Sequence, residues 1–216
     1  MFSAERPFFS VILCTYERAH LLPRALESLL AQEETDWEAV IVDDGSTDAT
    51  PEVARGYAAR CSALRYLRQE HAGLVAARNR GAGAARGRWL TFLDADDAYR
   101  PEHLRRRREA LARDPEAEFL HGGYVVIGDP TVPDRADPAR RIHLDACAVG
   151  GTFVLRAETF RRLGGFPDAP YSPDGALFET AQARGVRIVR VEDPTYVYDR
   201  TQPDSLCNTL PPRRLR

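Results

Sequence analysis

A chain of 216 residues with 30 arginines against 32 aspartates and glutamates, and a formal net charge of −2, offers no general case for nucleic-acid binding. No lysine occurs anywhere, which excludes lysine-based chemistry such as a P-loop lysine or a Schiff base. Hydrophobic residues make up 44% of the chain, enough for one sizeable α/β core. Cys14, Cys61, Cys147 and Cys207 lack metal-ligand spacing and follow no secretory signal, so free thiols in a reducing compartment are expected. Residues 8–14 are too short for a signal-peptide core, and no apolar run could span a bilayer. The expectation is a cytoplasmic protein that could still touch a membrane surface through its Arg-rich faces.

In chain order, the apolar run 8–14 reads as a first buried strand, ending in the polar turn Thr15-Tyr16-Glu17-Arg18. Leu22, Ala25, Leu26, Leu29 and Leu30 recur at helical spacing, with Pro23 in the first turn, so a helix is expected to about Gln32. Residues 38–42 form a second strand that ends in Asp43-Asp44-Gly45-Ser46-Thr47-Asp48. Thr50 is expected to cap the next helix, with Pro51 at its first position. A short strand at 64–67, a helix at 73–86, a strand at 89–93 and a helix at 101–112 follow, the Arg105–Arg108 run being expected on a solvated face. This alternation predicts βαβ units: an α/β fold with a mainly parallel, Rossmann-like sheet and helices on both faces. Beyond it the pattern loosens. Strands are expected at 119–127 and 152–155, a Pro- and Asp-rich loop at 128–141, and helices at 157–163 and 175–184, the last closed by Gly185. Strand character returns at 186–198, broken by Pro194, and the tail from Pro203 is expected to be loosely ordered.

Chemistry concentrates where strands end. Trp89 to Leu93 runs straight into Asp94, Asp96 and Asp97. Clustered carboxylates repel unless a cation or hydrogen-bond donors hold them, and the carboxyl ends of strands are where open α/β sheets bind ligands. Hard oxygen ligands on a short turn suit Mg²⁺ or Mn²⁺ with substrate phosphates completing the shell. The competing reading is a solvated acidic turn with Asp97 capping the next helix. Asp43 or Asp44 could accept from a base or a ribose, Asp96 and Asp97 could reach the ribose and a metal, and Arg78 is either in the same cleft or a surface helix arginine.

Several ordered segments resemble the family-2 glycosyltransferases of the GT-A fold: residues 11–18, 41–48, Ala77-Arg78-Asn79-Arg80-Gly81, 87–97 and Gly164-Gly165-Phe166. The order fits the first half closely and extends more loosely to about Tyr198. The resemblance implies transfer of a sugar from a nucleotide-sugar donor, with UDP the expected carrier, to an acceptor hydroxyl with inversion, using Mg²⁺ or Mn²⁺. By that resemblance Thr15, Tyr16 and Arg18 touch the nucleotide and Asp44 bonds the base, with Asp43 beside it. Arg78 lies near base or phosphates, Asp96 contacts the ribose or the metal's water, and Asp97 is the main metal ligand. The family's catalytic carboxylate belongs to an acidic pair after the Gly-Gly-Phe turn. Here Pro173-Asp174 stands in that place, making Asp174 the candidate base or else a plain helix cap, with Asp168 and Glu179 in reserve. Arg200, in a segment running on to Ser205, is a candidate phosphate contact.

There are departures. Glu17 replaces the family's usual asparagine, proline replaces the first acid of the pair, and no histidine follows His143. The altered pair motivates an alternative: a nucleotide-sugar-binding protein without turnover. A nucleotidyltransferase ranks below both, because no glycine-rich basic loop opens the chain. Residues 81–87 echo a dinucleotide fingerprint, but they end a helix. The five histidines lack metal spacing, and Tyr124 and Trp89 are expected in the core. One domain is expected, with residues 1–115 binding nucleotide, 116–202 facing the acceptor and 203–216 forming a tail. A saccharide, a lipid-linked sugar, a protein or a small metabolite would each fit as acceptor, and the oligomeric state is not indicated.

Overall fold

The computed structural model describes residues 6–203 except 138 and 170, so Cys207, Ser205 and nearly all of the tail lie outside the described residues. The first half alternates as expected: β1 (Phe9–Thr15), α1 (Leu22–Leu30), β2 (Trp37–Asp43), α2 (Thr50–Arg60), β3 (Leu64–Arg68), α3 (Leu74–Ala84) and β4 (Trp89–Asp94). An unforeseen two-residue strand, β5 (Ala98–Tyr99), precedes α4 (His103–Arg113). Then come β6 (Phe119–His121), β7 (Tyr124–Ile127), β8 (Thr131–Pro133), β9 (Arg141–His143), β10 (Val154–Arg156), α5 (Ala157–Leu163), α6 (Pro173–Ala183), β11 (Ile188–Arg190) and β12 (Tyr196–Asp199).

Seven strands form the central sheet in the order β11-β6-β10-β4-β1-β2-β3. The strands pair in parallel except β10, which runs antiparallel to β4 and β6. β1 is buried on both faces because its side chains alternate between two cores. Phe9, Val11 and Leu13 join Leu22, Leu26 and Leu29 of α1 and Leu104 of α4. Ile12 and Cys14 join Ala77 of α3, Phe160 of α5 and Leu177 of α6. Helices therefore cover both faces, and β1, β2 and β4 carry their polar turns to one edge of the sheet. Cys14, Cys61 and Cys147 are free thiols. No helix among the described residues is long and apolar enough to cross a membrane.

Several local expectations need correction. The run 119–127 is two strands: Gly122 and Gly123, at φ 84° and 69°, bend the chain so that β6 stays in the central sheet while β7 joins β5 and β12. The expected loop at 128–141 contains β8, which pairs antiparallel with β9. Thr50 is the first residue of α2, not its cap; its amide donates to Asp48 Oδ1 at 2.9 Å. α6 starts at Pro173, and Gly185 follows the last cap residue at φ 68°. Trp89 is buried as expected, whereas Tyr124 is only half-buried.

The arginine run of α4 is not wholly solvated. Arg105, Arg106 and Arg108 pair with glutamates, but Arg107 is fully buried. Its Nη2 donates to the Gly122 carbonyl at 2.7 Å and the Gly123 carbonyl at 3.3 Å, securing the bend between the two sheets. Burial pushes its pKa down to about 10. Arg107→Met keeps most of the volume and takes the side-chain donor from the Gly122 carbonyl, the Gly123 carbonyl keeping the Thr195 and Tyr196 amides, while removing a buried charge works the other way. A net stability loss of about 1–3 kcal/mol is expected in denaturant titration, and an unchanged midpoint would contradict this role.

Candidate functional site

The turns after β1, β2 and β4 meet at the carboxyl edge of the sheet. Thr15 ends β1 with its carbonyl accepting the Asp44 amide at 2.9 Å, and its hydroxyl is buried without a hydrogen-bond partner. Tyr16, 42% exposed, stacks on the His71 ring at a centroid distance of 4.1 Å. Glu17 adopts φ 53°, a left-handed conformation that asparagine takes more readily. Its Oε1 accepts from the Thr47 amide at 2.6 Å, tying the first turn to the second. The Arg18 amide donates to Thr50 Oγ1 at 3.0 Å.

Asp43 and Asp44 are both buried. Asp43 accepts from the Ser46 amide at 2.9 Å and the Tyr66 hydroxyl at 2.6 Å. Asp44 accepts from Gln69 Nε2 at 2.6 Å and from the amides of Ala72 and Gly73 at 2.9 and 2.8 Å. Its carboxylate thus holds the loop that leads into α3.

The acidic turn after β4 divides by direction. Asp97 is fully buried and faces inward: its Oδ2 accepts the Tyr196 hydroxyl and its Oδ1 the Asp199 amide at 2.8 Å. It is therefore neither a helix cap nor a carboxylate open to a ligand. Burial first, then Asp96 and Asp94, raises its pKa well above the usual carboxylate range. Asp96 differs. No other described residue donates a hydrogen bond to its carboxylate, and burial followed by the charge of Asp94 pushes its pKa up to about 6. Arg24, from α1, donates to the Asp96 carbonyl and, at 2.6 Å, to Asp199 Oδ2, so it locks this turn to the chain after β12.

Arg78 is 2% exposed in the middle of α3. Its Nη2 donates to both oxygens of Asp94 at 2.8 and 2.9 Å, and its Nη1 donates to Asp174 Oδ1 at 2.6 Å. Burial opposes its charge, but Asp94 and Asp174 outweigh this and raise its pKa well above the ordinary value. Asp174 lies in the first turn of α6, one position past the cap residue Ser172 and Pro173, so it is no N-cap. Its Oδ2 accepts the Gly150 amide at 3.2 Å, and a Cβ on Gly150 would collide with the carboxyl group. Burial first raises the Asp174 pKa, with Arg78 opposing. Of the reserves, Asp168 is exposed and Glu179 pairs with Arg135 at 2.8 Å. Arg200 is buried, and its Nη1 donates to the Thr131 carbonyl in β8.

A cleft of about 970 Å³ opens beside this edge, between the start of α3, the β8–β9 hairpin and α6, with Asp174 in its wall. Among the described residues no group of three or more His, Cys, Asp or Glu converges to hold a metal ion. The partner-poor Asp96 carboxylate is instead chemically suited to a hard cation that takes most of its oxygens from diphosphate and water. The edge thus brings together Thr15, Tyr16, Asp44, Asp96, Arg78 and Asp174, and turns Asp97 inward. Sequence reasoning missed Arg24, Tyr196, Asp199 and Gly150. Their partners lie 24 to 175 residues away, and no local signal marks them.

Residues 10–169 match the model of the family described as glycosyl transferase family 2. The uncharacterized glycosyltransferase EpsJ of Bacillus subtilis is 38% identical over 217 positions, covering 93% of this chain and 63% of that protein. The succinoglycan biosynthesis protein ExoO of Rhizobium meliloti is 44% identical over 103 residues, covering 48% of this chain and 29% of that one. Among solved structures, S. aureus TarS 1–349 in complex with UDP-GlcNAc superposes with a TM-score of 0.76 at 22% identity, over 90% of this chain and 59% of that one. The mannosyltransferase PcManGT from Pyrobaculum calidifontis, in complex with GDP-Man and Mn²⁺, gives 0.72 at 25% identity, over 90% and 57%. The chain spans less than two thirds of the length of each of these proteins.

Proposed function

Because the chain belongs to glycosyl transferase family 2 and has the GT-A fold, we propose that it moves a sugar from a nucleoside-diphosphate sugar to an acceptor hydroxyl with inversion. The observation that carries this reading is the placement, at one sheet edge, of an Asp96 carboxylate to which no other described residue donates and an Asp174 carboxylate in the wall of the cleft. Thr15, Tyr16 and Asp44 form the base and ribose end, with the buried Asp43 holding the turn behind them through Ser46 and Tyr66. The UDP-GlcNAc complex of TarS supports a UDP-linked donor. Arg18, whose charge acts on Asp96, faces the diphosphate.

Asp96 is the residue that would hold Mg²⁺ or Mn²⁺, in place of the inward-facing Asp97. The PcManGT complex with Mn²⁺ supports a divalent cation here. When bound, such a cation supplies neutralising charge for the departing diphosphate. Asp174 takes the proton of the acceptor hydroxyl as its oxygen attacks the anomeric carbon. A carboxylate with a raised pKa, kept ionised by Arg78, suits that role.

The test is release of nucleoside diphosphate from UDP-, GDP- and dTDP-sugars with Mn²⁺ and a panel of acceptors. Turnover with one donor is expected; tight donor binding without release would favour the binding-protein alternative. Metal affinity should also follow pH. The Asp96 pKa, about 6 against an ordinary 3.8, means that ionising it costs stability as pH rises through that window. A cation requires the ionised form, so its affinity falls below about pH 6, by roughly tenfold between pH 7.5 and 5. Equal Mn²⁺ affinity at both pH values would contradict this assignment.

A further inference from the structure

The family resemblance suggests that Arg78 contacts base or phosphates. The geometry leads elsewhere. Both terminal nitrogens of its guanidinium are committed to carboxylates, and the adjoining Phe166 and Phe92 rings, 5.0 Å apart, lie to one side of it with centroids 5.1 and 6.0 Å from Cζ. The side chain is 3% exposed, so reaching a nucleotide would break these contacts. Its neighbour Asn79 accepts from the Phe166 amide at 2.9 Å and donates to the Phe166 carbonyl at 2.8 Å. Two consecutive residues of α3 therefore hold the Gly-Gly-Phe turn, the acidic turn after β4 and the first turn of α6 in one arrangement.

We infer that Arg78 is a positioning residue: it fixes the Asp174 carboxylate against Asp94 and the Gly150 amide, leaving the other lone pairs of Asp174 to face the cleft. The inference rests on the reading of Asp174 as the base. A planar guanidinium is the side chain that can bond two carboxylates at once while resting against aromatic rings. The charged groups acting on Asp174 are Arg78 from α3 and Asp94 from β4, while Arg135 and Glu179 nearby neutralise each other. Arg78 is thus the cation that keeps Asp174 ionised beside Asp94. Without it, the base holds its proton to higher pH.

The experiment is the pH profile of kcat/KM for wild type and Arg78→Gln, with donor Kd measured alongside. In Arg78→Gln the acid limb should move up by about 1–3 pH units, with donor Kd within about threefold of wild type. An unmoved limb with weakened donor binding would make Arg78 a nucleotide contact. An unmoved limb with only a lower kcat would make it a structural residue. Either result overturns the inference. If Arg78→Gln does not fold, Arg78→Lys carries the test. Its single ammonium cannot bridge both carboxylates, so kcat should fall at least about tenfold with donor Kd unchanged. A parallel rise in donor Kd would overturn the role. Asp174→Asn separates the two readings: near-normal turnover in that variant removes the base assignment, whereas an inactive Asp174→Asn beside an unmoved limb in Arg78→Gln removes only the role of Arg78.

Discussion

Asp174→Asn is expected to lower kcat by about 10²- to 10⁴-fold while donor affinity changes by less than about threefold. The expectation follows from the base being needed only as the acceptor oxygen loses its proton, whereas donor binding draws on the turns after β1, β2 and β4. Asparagine keeps the shape of the side chain. Its amide must present nitrogen either to Arg78 Nη1 or to the Gly150 amide, where Asp174 now accepts at 2.6 and 3.2 Å. That mismatch costs about 1–3 kcal/mol, too little to unfold a typical domain. Steady-state release of nucleoside diphosphate, with a thermal melt as control, checks both halves. A kcat within tenfold of wild type would move the base elsewhere.

The second large effect separates two adjacent carboxylates. Asp96→Asn should weaken Mn²⁺-dependent donor binding by about 10- to 150-fold, the value of one charge-assisted contact, and leave the melting temperature unchanged or raised. Relief of a carboxylate whose pKa sits at about 6 favours the folded protein at neutral pH. Asp97→Asn should do the opposite. Asp97 accepts from the Tyr196 hydroxyl and the Asp199 amide inside the protein, and an asparagine amide offers only one acceptor atom to those two donors. A loss of about 1–3 kcal/mol of stability is expected, with metal dependence retained in the folded fraction. Calorimetric titration and denaturant melts of both variants distinguish the roles. Loss of metal dependence in Asp97→Asn without destabilisation would return the ligand role to Asp97.

The first half of the fold was legible because its strands announce themselves twice. Val11, Ile12, Leu13 and Cys14 are buried toward alternate faces, which gives an unbroken apolar run, and the run stops at a polar turn. The second half is legible only in outline. Strand character marks 119–127, 152–155 and 186–198, but β8 and β9, three residues each, are too short for periodicity to show. Strand pairing there is set by distant chain, as where β7 lies beside β12. At the site, the acidic turn was readable as a cluster but not as directions in space. What turns Asp97 inward is Tyr196, 99 residues later. Arg107 sits within a four-arginine run that looks uniform in sequence, and only the carbonyls of Gly122 and Gly123 distinguish it. Arg78 was recognised as a site residue through its motif, but its burial between two carboxylates comes from the packing of α3 against β4 and α6.

The claim on which the account depends is a metal-dependent donor site at the carboxyl edge of β1, β2 and β4. Calorimetric titration of the wild-type protein with UDP, GDP and dTDP, each with and without Mn²⁺, tests it most directly. The account predicts that one diphosphate, UDP by this reading, binds with Mn²⁺ and at least about tenfold more weakly without it. Failure of all three to bind a protein shown to be folded would contradict the donor site and leave only a shared fold.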